Sequence, residues 1–122
     1  MKKILVLFIL CFLLCSCDNE SNLSDLVGKE ISCSQYQEIK EKYSDSILID
    51  VRTLEEYNDY HLDDAVNIPV DNILSIEEKI DVEKDTPLIV YCRSGSRSLE
   101  AMNMLMEAGF TNVYNLGSIN KC

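Results

Sequence analysis

The residues best able to do chemistry lie together at Cys92-Arg93-Ser94-Gly95-Ser96-Arg97. They follow residues 87–91, PLIVY, an aliphatic run of the kind that forms a buried strand. A helical pattern starts at Ser96 or Arg97 and runs to about residue 108. The order is therefore strand, thiol, small-residue loop, helix start. Successive N–H groups in such a loop can converge into an anion nest. The helix start adds unpaired N–H groups and a positive dipole end. Sulfur attacks as thiolate, and a free cysteine has a pKa near ~8.5. Loop N–H groups, a helix N-terminus and guanidinium groups all favour that anion. The chain has three arginines, at 52, 93 and 97, and two of them fall in this loop. Gly95 gives the backbone freedom where it turns hardest. A small buried hydrophobe is the plain alternative for Cys92, but a core cysteine does not call for two arginines and a glycine beside it.

A second group of polar residues surrounds the end of residues 46–51, SILIDV: Asp50, Arg52 and Glu56. Acid, base and acid at a strand end read as a charge network that fixes the first loop, ahead of direct substrate contact. The single histidine, His61, reads as a hydrogen-bonded turn residue.

These groups need elements to hold them. Residue 31 sits in a short strand, and Ser34 with Gln37 forms a capping-box pattern for a helix to about residue 42. Residues 46–51 and 87–91 read as buried strands, 65–68 as a short strand closed by Pro69, and 112–116 as the last strand. Between them lie helix patterns at 54–60, at 71–80 with Asp71 as cap, and at 96–108 with Gly109 as left-handed terminator. Strands alternating with helices predict parallel pairing through right-handed crossovers. The fold class is three-layer α/β, with ligands beyond the carboxyl ends of the strands, where the cysteine loop lies.

The chain has 122 residues, room for one domain. Its 47% hydrophobic and 26% charged content excludes wholesale disorder. Twenty-one acids against 11 bases, with no basic run, exclude a nucleic-acid binder. Met1-Lys2-Lys3 precedes an apolar run of 11 residues, 4–14. A bilayer core takes roughly 20 apolar residues to cross as a helix, so this run reads as a signal peptide, 1–16. Leu14-Cys15-Ser16-Cys17 resembles a bacterial lipobox, which implies that Cys17 is lipidated and becomes the new N-terminus. The reading is an exported, lipid-anchored protein of the bacterial cell envelope. Residues 17–29 are then the lipidated end and a tether, and 30–122 the domain. From Cys17 onward, 21 acids face 9 bases, a charge of −12, so only the lipid would hold this chain at an anionic membrane. Cys33, Cys92 and Cys122 remain as thiols. With no C-x-x-C pair and one histidine, no metal site is expected.

Cys92 to Arg97 resembles the active-site loop of the rhodanese family, a cysteine with a closing arginine five residues on. Ile49-Asp50-Val51-Arg52-Thr53 with Glu55-Glu56-Tyr57 resembles another family signature. So do His61 with Ala65-Val66-Asn67-Ile68-Pro69, and the stretch 108–116. The likeness spans about residues 31–119. It implies a five-stranded parallel sheet with helices on both faces. It also implies a sulfurtransferase without cofactor, acting as a single-domain monomer. Cys92 would take a sulfane sulfur from thiosulfate or a similar anion, become a persulfide, and pass the sulfur to a thiol or cyanide-like acceptor. Arg93, Ser94, Gly95, Ser96 and Arg97 would hold the persulfide and donor. Fold-sharing phosphatases use a loop one residue longer to cup phosphate, so this loop favours sulfur transfer. The other reading is a non-catalytic module of this fold that binds a partner or carries sulfur. Two family glycines are replaced, by Tyr60 and Asp64, and Cys122 stands where the family has a tryptophan. In the family's sheet the first and last strands are parallel neighbours, which would bring Cys33 and Cys122 to one end. That leaves three readings: a Cys33–Cys122 disulfide, Cys122 resolving the Cys92 persulfide, or two free thiols.

Overall fold

The computed structural model describes residues 22–122. The expected signal segment 1–16 and Cys17 lie outside the described residues. Four strands form one parallel sheet: β1 (Ile47–Asp50), β2 (Val66–Asn67), β3 (Leu88–Cys92) and β4 (Val113–Ser118), in the order β2-β1-β3-β4. The helices are α1 (Cys33–Lys42), α2 (Leu54–Asp59), α3 (Ile76–Lys79) and α4 (Ser96–Glu107).

The two aliphatic runs become the central pair, β1 against β3, with Ile49 opposite Val90. Their side chains alternate between faces, as the pleat requires. Ile49, Leu88, Val90 and Cys92 point to one side, where Ile73, Ile76, Met102 and Leu105 cover them. Leu48, Ile89 and Tyr91 point to the other, against Tyr36 and Ile39 of α1. The sheet thus has a core on each face, the three-layer arrangement read from the sequence. Each fully buried Ile or Leu here contributes about 2 kcal/mol through removal from water.

The sheet has four strands where the family resemblance implied five. Glu30 makes a single bridge to Asn115, flanked by hydrogen bonds from Ile31 N to Asn115 O (2.8 Å) and from Asn115 N to Lys29 O (3.0 Å). The segment cannot extend further, because Ser32 already caps α1. Ser32 Oγ accepts from Gln35 N, and the Gln35 side chain accepts from Ser32 N. The capping box is this pair, two residues before the one expected from Ser34 and Gln37.

Two further expectations change. Residues 22–29 are not all tether: Leu23–Leu26 forms a 3₁₀ turn, Leu23 is buried in the α1-side core, and Gly28 N donates to Val113 O. Leu23 and Leu26 supply the apolar area that keeps this stretch docked. The helix expected at 71–80 is a 3₁₀ turn, Val70–Ser75, followed by α3. Pro69 stands at its start, and Asp71 does not cap it. Gly109 takes φ 101° after α4, the left-handed cap its position predicts.

Candidate active site

Cys92 is the last residue of β3 and is fully buried on the α4 face. Its carbonyl accepts from Ile119 N (2.8 Å), which ties the strand end to the chain leaving β4. The backbone then turns through Arg93, Ser94 and Gly95 into α4. Gly95 is the N-cap and lies at φ 103°, a left-handed conformation that a residue with a Cβ enters at a cost. That turn aims Gly95 N–H at the Cys92 sulfur, 3.0 Å away. The Cys92 thiol donates to Ser98 Oγ at 3.5 Å, and Ser98 Oγ donates to Gly95 O at 3.1 Å. Burial opposes ionisation of Cys92. Hydrogen bonds from the Ser98 hydroxyl and from the N–H groups of Ser98, Gly95 and Ser94 outweigh it and hold the thiol below its ordinary pKa.

The two loop arginines part company. Arg97 forms a bidentate pair with Glu56 of α2, at 2.6 and 3.1 Å. The Arg97 guanidinium holds the Glu56 carboxyl down at about 2; burial opposes it, and the capping N–H and hydroxyl of Thr53 add to the lowering. Arg93 is exposed, and its carbonyl accepts from Ser118 Oγ (2.9 Å). Ser94 and Ser96 are also exposed on the loop.

Asp50 and Glu56 each take a different arginine as direct partner, while the Glu56 charge still acts on Arg52. Asp50 and Arg52 are a buried pair at 2.7 Å. Asp50 also accepts from the Tyr91 hydroxyl (2.8 Å) and from Arg52 N (2.9 Å). Arg52 donates onward to Tyr60 O (2.6 Å), and the Tyr91 hydroxyl accepts from Leu62 N (3.0 Å). This network staples the loop after α2 to β1 and β3. Glu56 instead belongs to the cysteine loop through Arg97. His61 Nδ1 bonds Tyr57 O at 2.8 Å, and its ring stacks on Tyr57 at 3.8 Å, a turn role. Asp64, at the lost glycine position, takes φ 67°, a region aspartate enters more readily than most residues.

Cys33 and Cys122 are joined by a disulfide, with Cα atoms 5.5 Å apart, and Cys92 is the free cysteine among the described residues. Lys121 Nζ reinforces the clasp by donating to Ile31 O (3.0 Å) and Glu30 Oε1 (3.1 Å). A cleft of about 510 Å³ opens at the other end of the sheet, lined by Tyr36, Lys40, Ser46, Leu48 and Val66, away from this sulfur. Among the described residues no group of His, Cys, Asp and Glu is arranged to hold a metal ion.

The sequence pattern did not single out Ser98 or Tyr91. Ser98 lies one residue past the loop, and its only signal was its place three residues after the cap Gly95, where a helix side chain can reach back to the cap. Tyr91 read simply as an apolar strand residue.

The structure thus places a buried, ionisable thiol at the end of a parallel strand, faced by loop N–H groups and a helix start. The model of the rhodanese-like domain matches residues 32–121, and the chain belongs to that family. It is 34% identical over 91 residues to the thiosulfate sulfurtransferase GlpE of Coxiella burnetii, covering 75% of this chain and 82% of that protein. It is 35% identical over 71 residues to the thiosulfate sulfurtransferase PspE of Escherichia coli, covering 58% and 68%. Among solved structures, an Escherichia coli rhodanese with anions superposes with TM-score 0.60 at 32% identity, covering 63% of this chain and 91% of that one. A human single-domain sulfurtransferase, TSTD1, shares the fold with TM-score 0.66 at 21% identity, covering 75% and 92%.

Proposed function

We propose that this chain is a rhodanese-like sulfurtransferase working through a Cys92 persulfide. The observation that carries it is the Gly95 N–H aimed at the Cys92 sulfur at 3.0 Å, inside a loop that lowers the thiol pKa. The relatives named as thiosulfate sulfurtransferases support the same reading. The Cys92 thiolate attacks the outer sulfur of thiosulfate, a new S–S bond forms, and sulfite leaves with the electron pair of the broken bond. Cys92 then carries a persulfide anion, held by the loop N–H groups. A thiophilic acceptor such as cyanide attacks the outer sulfur, thiocyanate leaves, and the Cys92 thiolate returns. The ends of this cycle are both anions, so no general base is needed once the thiol is ionised. Arg97, fixed by Glu56, sets the electrostatics of the loop, and exposed Arg93 meets the incoming donor.

The signal pattern at 1–16 and Cys17 support export and lipid anchoring at the bacterial cell envelope. The mature chain then faces its donor as a monomer at the membrane surface. Mass spectrometry after incubation with thiosulfate tests the chemistry. Cys92 gains one sulfur atom, and Cys92→Ser gains none while keeping its fold, since a serine hydroxyl forms no persulfide. A folded Cys92→Ser variant that still releases sulfite from thiosulfate would overturn the assignment.

A further inference from the structure

We propose that the Ser98 hydroxyl turns with the charge on Cys92, donating to the sulfur when it is a thiolate and to Gly95 O when it is not. The inference rests on the sulfurtransferase reading above for its place in the cycle. Ser98 is fully buried, and its oxygen lies 3.5 Å from Cys92 Sγ and 3.1 Å from Gly95 O. In the thiol state the S–H donates to Ser98 Oγ, and the hydroxyl proton is committed to Gly95 O. Loss of the thiol proton to water removes that donor and leaves an anion beside a hydroxyl free to rotate. Rotation costs little, because Gly95 O keeps a second donor, Leu99 N at 3.0 Å. A hydrogen bond to an anion is stronger than the neutral one given up.

The two halves of the cycle feel this differently. In loading, Cys92 Sγ is the nucleophile, and stabilising its anion lowers its intrinsic reactivity while raising the fraction ionised. Once the persulfide forms, the charge sits on the outer sulfur, Sγ is neutral, and the hydroxyl returns to Gly95 O. In discharge the acceptor takes the outer sulfur, and Sγ leaves as thiolate with the bonding pair. The hydroxyl then turns to meet the charge as it develops. Ser98 is a catalytic residue in this sense, because it touches the reacting atom, and its benefit falls mainly on the discharge step.

Ser98→Ala and Ser98→Thr test it, each checked for fold by circular dichroism. The first measurement is the pH profile of Cys92 alkylation by iodoacetamide, which needs no sulfur transfer. Ser98→Ala moves the profile to higher pH, and Ser98→Thr, which keeps the hydroxyl, moves it back. The second is single-turnover kinetics well above the Cys92 pKa. Loading from thiosulfate is not slowed in Ser98→Ala, whereas discharge of the persulfide to cyanide slows about tenfold. An unmoved alkylation profile, equal slowing of both steps, or a folded Ser98→Thr that behaves as Ser98→Ala would each overturn the proposal. A wild-type chain that takes no sulfur from thiosulfate would instead overturn the sulfurtransferase reading, and the alkylation profile would still decide whether Ser98 serves the thiolate.

Discussion

Replacing Cys122 with serine opens the clasp between the two ends of the domain and leaves everything else in place. Cys33 and Cys122 are 89 residues apart, so their bond closes nearly the whole domain into one loop. For a loop of that size, restriction of the unfolded chain amounts to about 4–5 kcal/mol at 25 °C in the chain-entropy account. Domains of this kind are stable by about 5–15 kcal/mol in all, so the bridge is a large share. The remaining contacts of the tail cannot replace it. The Lys121–Glu30 pair involves a well-exposed Glu30 carboxylate and is worth at most ~1 kcal/mol. The assay is urea unfolding of the mature chain, oxidised, fully reduced, and as Cys122→Ser. The oxidised protein unfolds at clearly higher urea, and the reduced protein and the variant coincide about 4 kcal/mol lower. Coincidence of all three curves would refute the reasoning.

Glu56→Gln removes the carboxylate that holds Arg97, lowering stability by about 1 kcal/mol at neutral pH, since the pair is part-exposed. The Glu56 carboxyl is held down from 4.5 to about 2, so its contribution is full above 4.5 and fades as pH falls toward 2. Urea midpoints of wild type and variant across that window should converge at the acid end, and a constant gap would defeat the pairing. Asp50→Asn leaves the buried Arg52 guanidinium without its counter-charge and costs about 3 kcal/mol in the same assay. A loss below ~1 kcal/mol would show that the Asp50 charge is not what holds the loop after α2. Cys17→Ser blocks lipidation and shifts the protein from the membrane to the soluble fraction, or leaves the precursor unprocessed. Normal maturation with retained membrane association would reject the lipobox reading.

Much of the site was legible because it is local. Strand, cysteine, small loop and helix start are contiguous in the chain, and each follows from a neighbour-range rule: an aliphatic run, a glycine at a left-handed cap, a 3.6-residue period. The central strands were equally plain, since residues 47–49 and 88–90 are apolar on both faces of the pleat. Element ends were less legible. Ser32 and Ser34 offer similar capping patterns, and the choice between them depends on where the preceding segment meets β4. The 3₁₀ turn at Val70–Ser75 replaces a regular helix start for the same reason, with Ile73 and Ile76 buried against α4.

The sequence by itself determined the α/β class and the place of Cys92 between a strand end and a helix start. It also carried the family resemblance, because these depend on residue type and short spacing. Tertiary structure alone decided which charges meet. Arg97 finds Glu56, and Tyr91 finds Asp50, across 41 residues of chain in both cases. Asp50, Arg52 and Glu56 looked like one network because they are close in sequence. In the fold Asp50 pairs directly with Arg52 and Glu56 with Arg97, and the Glu56 charge reaches Arg52 only through space. The fifth strand shrank to a bridge because the capped helix began too soon to let it extend. The disulfide depends on two chain ends lying beside the same strand, β4. Sequence distance carries no information about such meetings, since they are made by the crossovers that bring β1, β3 and β4 side by side.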